Sequence, residues 1–114
     1  MKDMTPDMAA ADSVFERMYL AVCALCIGPG DVRSRLIDVG IHLTPLMPSE
    51  FPSHLRADFM WITKHLTRFP ARHQHEGAME ASMAKIQNST GVKIAQRVLA
   101  LFEEIQIIRG HPIV

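Results

Sequence analysis

The sequence predicts an all-α protein, a single domain of four or five helices arranged as an up-and-down bundle. Apolar residues recur every three or four positions in successive segments, which is the period of an amphipathic helix. Glycine or proline residues separate these segments. No stretch of four to eight residues alternates between apolar and polar, as a half-buried strand would. Short connections favour neighbouring helices that run in opposite directions.

The first predicted helix runs from Asp12 to Ile27. Asp12 or Ser13 can cap its start, and Glu16 lies three residues after Ser13 to complete a capping box. Apolar residues cover nearly its whole circumference, so we expect neighbours on several sides and a central position in the fold. Gly28-Pro29-Gly30 ends this helix, because glycine permits a left-handed exit and proline cannot continue the backbone ladder.

Two amphipathic stripes follow and predict the second and third helices. Asp31 is the expected cap of the second helix, and Pro45 ends it because its ring blocks a continuing backbone bond. Ser53 is the expected cap of the third helix, which Pro70 ends. The stripes are Val32, Leu36, Val39, Leu43 and Leu46, and then Leu55, Phe59, Ile62, Leu66 and Phe69.

Residues 78–109 form either one helix or two. Asn88-Ser89-Thr90-Gly91 offers both a stop and a fresh cap. A glycine inside a helix, however, costs only about 1 kcal/mol relative to alanine, which packing could absorb. We expect the bundle to span residues 11–110, with a loosely ordered lead over residues 1–10 and a short tail over residues 111–114.

Composition excludes several classes of function. The 114 residues include 12 basic and 12 acidic side chains, and a net charge of zero argues against a general nucleic-acid coat or a polybasic membrane anchor. A hydrophobic content of 48% is too high for a disordered chain. The most apolar stretch, residues 18–27, is shorter than the roughly 20 residues that a bilayer span needs. Two cysteines are also too few for the disulfide framework of a small secreted domain, so we expect a cytoplasmic protein with no membrane partner.

Cys23 and Cys26 have the CxxC spacing of redox and zinc sites. They fall late in an apolar helix, where we expect buried, inert thiols. A structural zinc site also needs two further ligands at matching spacing, and the six histidines match no ligand pair on one helix turn. We expect no metal and no cofactor, with a zinc or redox module as the distant alternative.

A basic segment, residues 54–75, carries the candidate binding residues. These are Arg56, Trp61, Lys64, Arg68 and Arg72, set against the single acid Asp58. The segment is either a solvated helix face or a local contact for an anionic partner such as RNA. With so few bases and one tryptophan for stacking, tight general binding of nucleic acid is not expected.

The third predicted helix carries more apolar residues than a single core-facing stripe requires, and this surplus leads to the main functional expectation. Met60 and Trp61 lie off the third apolar stripe, and Phe51 adjoins them. Either the third helix packs between two neighbours or these residues form an exposed patch suited to a protein partner. With no convincing catalytic set, we expect a non-enzymatic accessory or regulatory interaction module that self-associates as a homodimer.

One pair of residues supports an alternative function. Arg68 and His73 are spaced as Arg-x4-His, and Arg35 and His42 as Arg-x6-His. This spacing resembles the short Arg…His signature of the HEPN family of small helical-bundle ribonucleases. The resemblance implies metal-independent RNA cleavage by Arg68 and His73. The arginine would hold the scissile phosphate, and the histidine would move the 2′-hydroxyl proton.

Overall fold

The computed structural model describes residues 8–71 and 76–110, and within them the chain folds into five α-helices without a strand. The helices are α1 (Met8–Ile27), α2 (Val32–Leu43), α3 (Arg56–Leu66), α4 (Ala78–Lys85) and α5 (Asn88–Arg109). Two short 3₁₀ turns, Pro48–Glu50 and Ser53–Leu55, connect α2 to α3. The all-helical prediction is confirmed, while the up-and-down order stays a prediction. The predicted tail, 111–114, and most of the predicted lead, 1–10, lie outside the described residues.

The centre of the fold is α2, so the prediction that the first helix is the central element is wrong. α2 packs against α1, α3, α4 and α5, and it buries Leu36 and Val39 completely. α1 packs mainly against α2 and α5 and leaves Tyr19, Leu20 and Ile27 exposed. The apolar circumference of α1 is therefore covered on one side only.

The ends of α1 and α2 follow from local chemistry. α1 begins at Met8, before the predicted cap at Asp12 or Ser13, because the methionine and alanines that precede Asp12 are strong helix formers. Asp31 caps α2 as predicted: its Oδ1 accepts a hydrogen bond from the Ser34 backbone N–H at 3.1 Å. That bond, together with the Arg33 guanidinium 3.0 Å away, lowers the pKa of Asp31.

α3 ends at Leu66, so the predicted helical continuation to Phe69 is wrong. Phe69 precedes Pro70, and a residue before proline is disfavoured in a helix. The Phe69 backbone N–H instead donates to Oγ of the buried Ser82 on α4 at 2.8 Å. The Ser82 hydroxyl donates in turn to the Phe69 carbonyl at 3.3 Å. This pair of hydrogen bonds ties the turn after α3 to α4.

Residues 78–109 form two helices, and the break falls at Ile86 and Gln87, where the backbone is extended. Nη1 of Arg33 donates to the Ile86 carbonyl at 3.2 Å and so satisfies an acceptor at this break. Gly91 lies inside the first turn of α5, where a Cβ would come within 2.9 Å of Cγ1 of Val32. The glycine therefore allows α5 to approach α2 closely, and it does not end a helix.

Candidate functional site

An open groove of about 810 Å³ runs alongside α3 and is the candidate site; we call it the α3 groove. Residues of α3, of the end of α2 with the turn that follows it, and of the start of α4 line it. The lining is apolar except for three threonines and Lys64. A concave, mostly apolar surface with few polar groups is typical of a binding site.

Two aromatic rings support the base of the α3 groove. Phe59 lines the groove but is itself buried, and its ring stacks on that of Phe51 with 4.4 Å between centroids. Nε of Arg56 donates to the Phe51 carbonyl at 2.9 Å and holds this segment in place. The predicted exposed patch of Met60, Trp61 and Phe51 is therefore wrong for Phe51, which belongs to the core.

The three threonines of the α3 groove present no free hydroxyl proton. Thr44 donates to the Gly40 carbonyl at 2.6 Å, and Thr67 donates to the Thr63 carbonyl at 2.8 Å. Thr63 Oγ1 lies 3.2 Å from the Phe59 carbonyl and 3.1 Å from the Met60 carbonyl. Because these protons are used within the helices, the threonine hydroxyls can only accept hydrogen bonds from a ligand.

Two methionines give the α3 groove an adaptable surface. Met60 is 54% exposed on α3, while Met79 of α4 is half-buried and packs over Gly40 of α2. A Cβ at position 40 would collide with Sδ of Met79, so Gly40 makes room for this side chain. Flexible thioether side chains fit ligands of varied shape, which makes methionine common on binding surfaces.

Trp61 is half-buried where α3 meets α5 and also lines the α3 groove. Its indole stacks on the His65 ring at 3.9 Å, and the Arg97 guanidinium lies 4.5 Å from the indole centre. Arg97 also pairs with Asp58 at 3.5 Å. Nδ1 of His65 lies 2.8 Å from the Trp61 carbonyl oxygen. The indole is therefore held in one position beside the groove.

The basic residues predicted as binding residues do not form a single site. Arg56 is engaged with the Phe51 carbonyl, and Arg72 lies outside the described residues. Lys64 is exposed and lines the α3 groove, and Arg68 is exposed just beyond the end of α3. No acid of the described chain pairs with Lys64 or Arg68.

The structure describes the two arginines of the ribonuclease interpretation, Arg68 and Arg35, but not His73. His73 lies outside the described residues, so the pairing of Arg68 with His73 stays a prediction. The second Arg…His spacing involves Arg35, whose Nη1 donates to the Leu25 carbonyl at 2.9 Å and whose Nε is buried without a partner. Arg35 therefore ties α2 to the end of α1.

A second exposed apolar surface lies across α1 and α5; we call it the α1–α5 ridge. It consists of the exposed Tyr19 and Leu99 and the half-buried Cys23 and Phe15, with the buried ring of Phe102 packed against the rings of Phe15 and Tyr19. Tyr19 is 51% exposed and Leu99 is 46% exposed. The Phe15 ring lies 5.5 Å from that of Phe102 and 6.3 Å from that of Tyr19, so the aromatic side chains of this ridge already cover one another.

The cysteines lie on the outer side of α1. Cys23 is half-buried and Cys26 is exposed, so the prediction of buried thiols is wrong for Cys26, which precedes the exposed Ile27 in the last turn of the helix. A hydrogen bond with Cys23 raises the pKa of the Tyr19 hydroxyl. Residues 8–71 and 76–110 contain no group of three His, Cys, Asp or Glu side chains placed to hold a metal ion.

None of the described helices has the length and apolarity needed to cross a bilayer.

Comparisons with known proteins identify no relative of this chain. A comparison with models of known protein families finds no match, and searches of curated proteins and of solved structures find no significantly similar chain. The candidate site is therefore defined by its shape and chemistry.

Proposed function

We propose that the protein is an accessory or regulatory interaction module that binds a segment of another protein in the α3 groove. One observation carries this proposal: the groove is open, apolar and free of unsatisfied hydroxyl donors. The buried centres of protein interfaces are poor in charged residues and rich in methionine and aromatic residues. Met60, Met79 and Trp61 give the groove this composition.

Burial of the exposed groove side chains supplies the driving force for binding. Complete burial of a large apolar side chain contributes about 1.5–3 kcal/mol, and Met60 is about half-exposed before any partner binds. Its neighbours on the groove add smaller apolar areas. Binding through a single groove of this size favours a short segment of a partner over a broad protein face. A cytoplasmic location and self-association stay predictions alongside this proposal.

The position of Trp61 provides a direct test. It is the only tryptophan in the sequence and it lines the α3 groove, so its fluorescence reports an occupant without a label. Peptides selected from a random display library on the wild-type protein, and free of tryptophan, should change this fluorescence on binding. We expect Met60→Ser to weaken their binding about threefold to tenfold, since it removes half-exposed apolar surface.

The matched control is Leu99→Ser on the α1–α5 ridge. Leu99 and Met60 have similar exposure and both lie on helices, but Leu99 does not line the groove. Peptide affinity should be unchanged in this variant. Equal loss of affinity in both variants, or peptides that bind without any change in Trp61 fluorescence, would contradict the assignment of function to the α3 groove.

A further inference from the structure

We infer that the α3 groove takes an amphipathic α-helix of about three turns, with acidic residues at the end that meets Lys64 and Arg68. This inference rests on the proposed function and names the chemistry of the partner segment. Three features carry it: the way the groove lining uses its polar groups, the length of the groove, and the position of its unpaired charges.

The polar groups of the groove lining favour a helix over an extended segment. The lining helices bond their own backbone groups, and Thr44, Thr63 and Thr67 donate their hydroxyl protons to helix carbonyls. An extended peptide seated in this lining would find few partners for the backbone N–H and C=O groups that it buries, at a cost of about 1–3 kcal/mol for each group left unpaired. A helix satisfies its own backbone before it binds, so it can cover the groove with side chains alone.

The length of the groove sets the length of the helix. The lining residues of α3 run from Ala57 to Thr67, a rise of about 15 Å along the helix axis. A partner helix that follows this distance needs about ten residues, or three turns. Apolar anchors at positions i, i+4 and i+7 would then fall on one face and meet the groove along its length.

The unpaired charges set the polarity of the partner. Lys64 and Arg68 are exposed near the Thr67 end, and neither pairs with an acid of the described chain. The nearby acid of α3, Asp58, is paired with Arg97, and Oε2 of Glu50 accepts the Met47 backbone N–H at 2.6 Å. At the Thr67 end of the groove, Lys64 therefore presents a positive charge that has no ionic partner in the described chain. Complementary acids on the partner would speed and orient docking, and basic residues there would be repelled.

The test uses three synthetic twelve-residue helical peptides with leucine anchors at i, i+4 and i+7 and no aromatic residues. They differ at two positions of one terminal turn, which carry Glu, Gln or Lys. We expect Trp61 fluorescence titrations at low salt to rank them acidic, neutral, basic, with about a threefold to tenfold step in dissociation constant between successive peptides. The steps should shrink at high salt, because exposed charges are screened.

A variant of the protein tests whether Lys64 and Arg68 cause the preference for the acidic peptide. Lys64→Gln combined with Arg68→Gln should remove the difference in affinity between the acidic and neutral peptides. Lys93→Gln is the control, because Lys93 is exposed on α5 and does not line the groove. We expect it to preserve the ranking.

Each opposing result has a separate meaning. Equal affinity of the three peptides would overturn the acidic partner and leave the proposed function standing. Equal affinity for a version with proline at two central positions would overturn the helical partner. If dodecanoate bound more tightly than the acidic peptide, with the same dependence on Lys64, the groove would take a lipid carboxylate. Failure of all peptides, together with failure of library selection, would overturn the proposed function as well.

Discussion

The α3 groove and the α1–α5 ridge expose apolar side chains to a similar extent but differ in shape. Met60 in the groove is 54% exposed, and Tyr19 on the ridge is 51% exposed. The groove is concave and leaves volume beside its apolar residues. On the ridge, the rings of Tyr19, Phe15 and Phe102 cover one another, and the Arg109 guanidinium lies 4.2 Å from the Phe15 centre. The groove therefore offers volume for a partner segment, while the ridge offers an exposed face against which a second protein surface can pack.

The largest expected effect is a loss of stability from a substitution at the base of the α3 groove. Phe59→Ala removes the buried ring that supports the base of the groove and stacks on Phe51 at 4.4 Å. It should lower the free energy of unfolding by about 3–5 kcal/mol, because it removes buried surface and leaves a cavity. Urea denaturation checks this value. A loss below about 1 kcal/mol would show that Phe59 does not hold up the groove. Met60→Ala on the same helix is the exposed control.

Ser82→Ala tests the attachment of the turn that carries Arg68. The change leaves the Phe69 backbone N–H without its buried acceptor and should cost about 1–3 kcal/mol of stability by chemical denaturation. It should also reduce the preference for the acidic peptide, because Arg68 adjoins Phe69, and leave the α1–α5 ridge unaffected. Ser34→Ala, at an exposed position on α2, is the control and should stay within about 0.5 kcal/mol of wild type.

Variants on the two surfaces should differ in their effect on self-association. We expect the wild-type protein to show concentration-dependent sedimentation, and Tyr19→Ser with Leu99→Ser to weaken the dimer about tenfold, since both residues are about half-exposed on the ridge. Met60→Ser should leave the dimer unchanged. A shift caused by Met60→Ser and not by the ridge variant would place self-association in the groove.

Arg97→Gln tests whether the Arg97 side chain shields the Trp61 ring from water at the edge of the groove. The change removes the guanidinium 4.5 Å from the Trp61 ring centre and the exposed pair with Asp58. Stability should fall by about 0.5–1 kcal/mol, and Trp61 emission should shift to the red as water reaches the indole. Unchanged emission would show that Arg97 does not cover this ring. Lys93→Gln on the same helix serves as the control.

The smallest effect lies outside both surfaces, at the start of α2. The pKa of Asp31 is lowered in the folded state, mainly by the hydrogen bond from the Ser34 N–H. Its contribution to stability is therefore complete above the unfolded pKa of about 4 and is lost as pH falls through the folded pKa. Thermal denaturation between neutral pH and about pH 2.5 should show a slightly steeper acid loss in wild type than in Asp31→Asn. Parallel curves would contradict this role.

The sequence predicted the bounds of α2 well, because local signals set them. Asp31 caps α2, and Pro45 follows its end closely, because capping and proline geometry act within a few residues. The end of α3 was missed, because the Phe69 N–H finds its partner in Ser82, thirteen residues away. Pattern reasoning cannot locate a bond that depends on the tertiary approach of another helix.

The candidate site was predicted only in part for the same reason. Trp61 and Lys64 were expected to bind a partner, and both line the α3 groove. The threonines were missed, although Met60, Thr63 and Thr67 recur at helical spacing as a second stripe beside the apolar one. Phe51 was assigned, as one of two alternatives, to an exposed patch with Met60 and Trp61, yet its ring meets Phe59 in the core.

The hydrogen bonds between Phe69 and Ser82 also bear on how the molecule can be altered. They join Phe69, just after α3, directly to Ser82 within α4, so this attachment does not depend on the length of the chain between the two residues. Doubling the length of a flexible connection costs only about 0.6 kcal/mol in chain entropy. A reporter domain or an affinity tag inserted after Ala71 should therefore leave the residues that line the α3 groove in place. The connection between these helices is a natural site for engineering this protein.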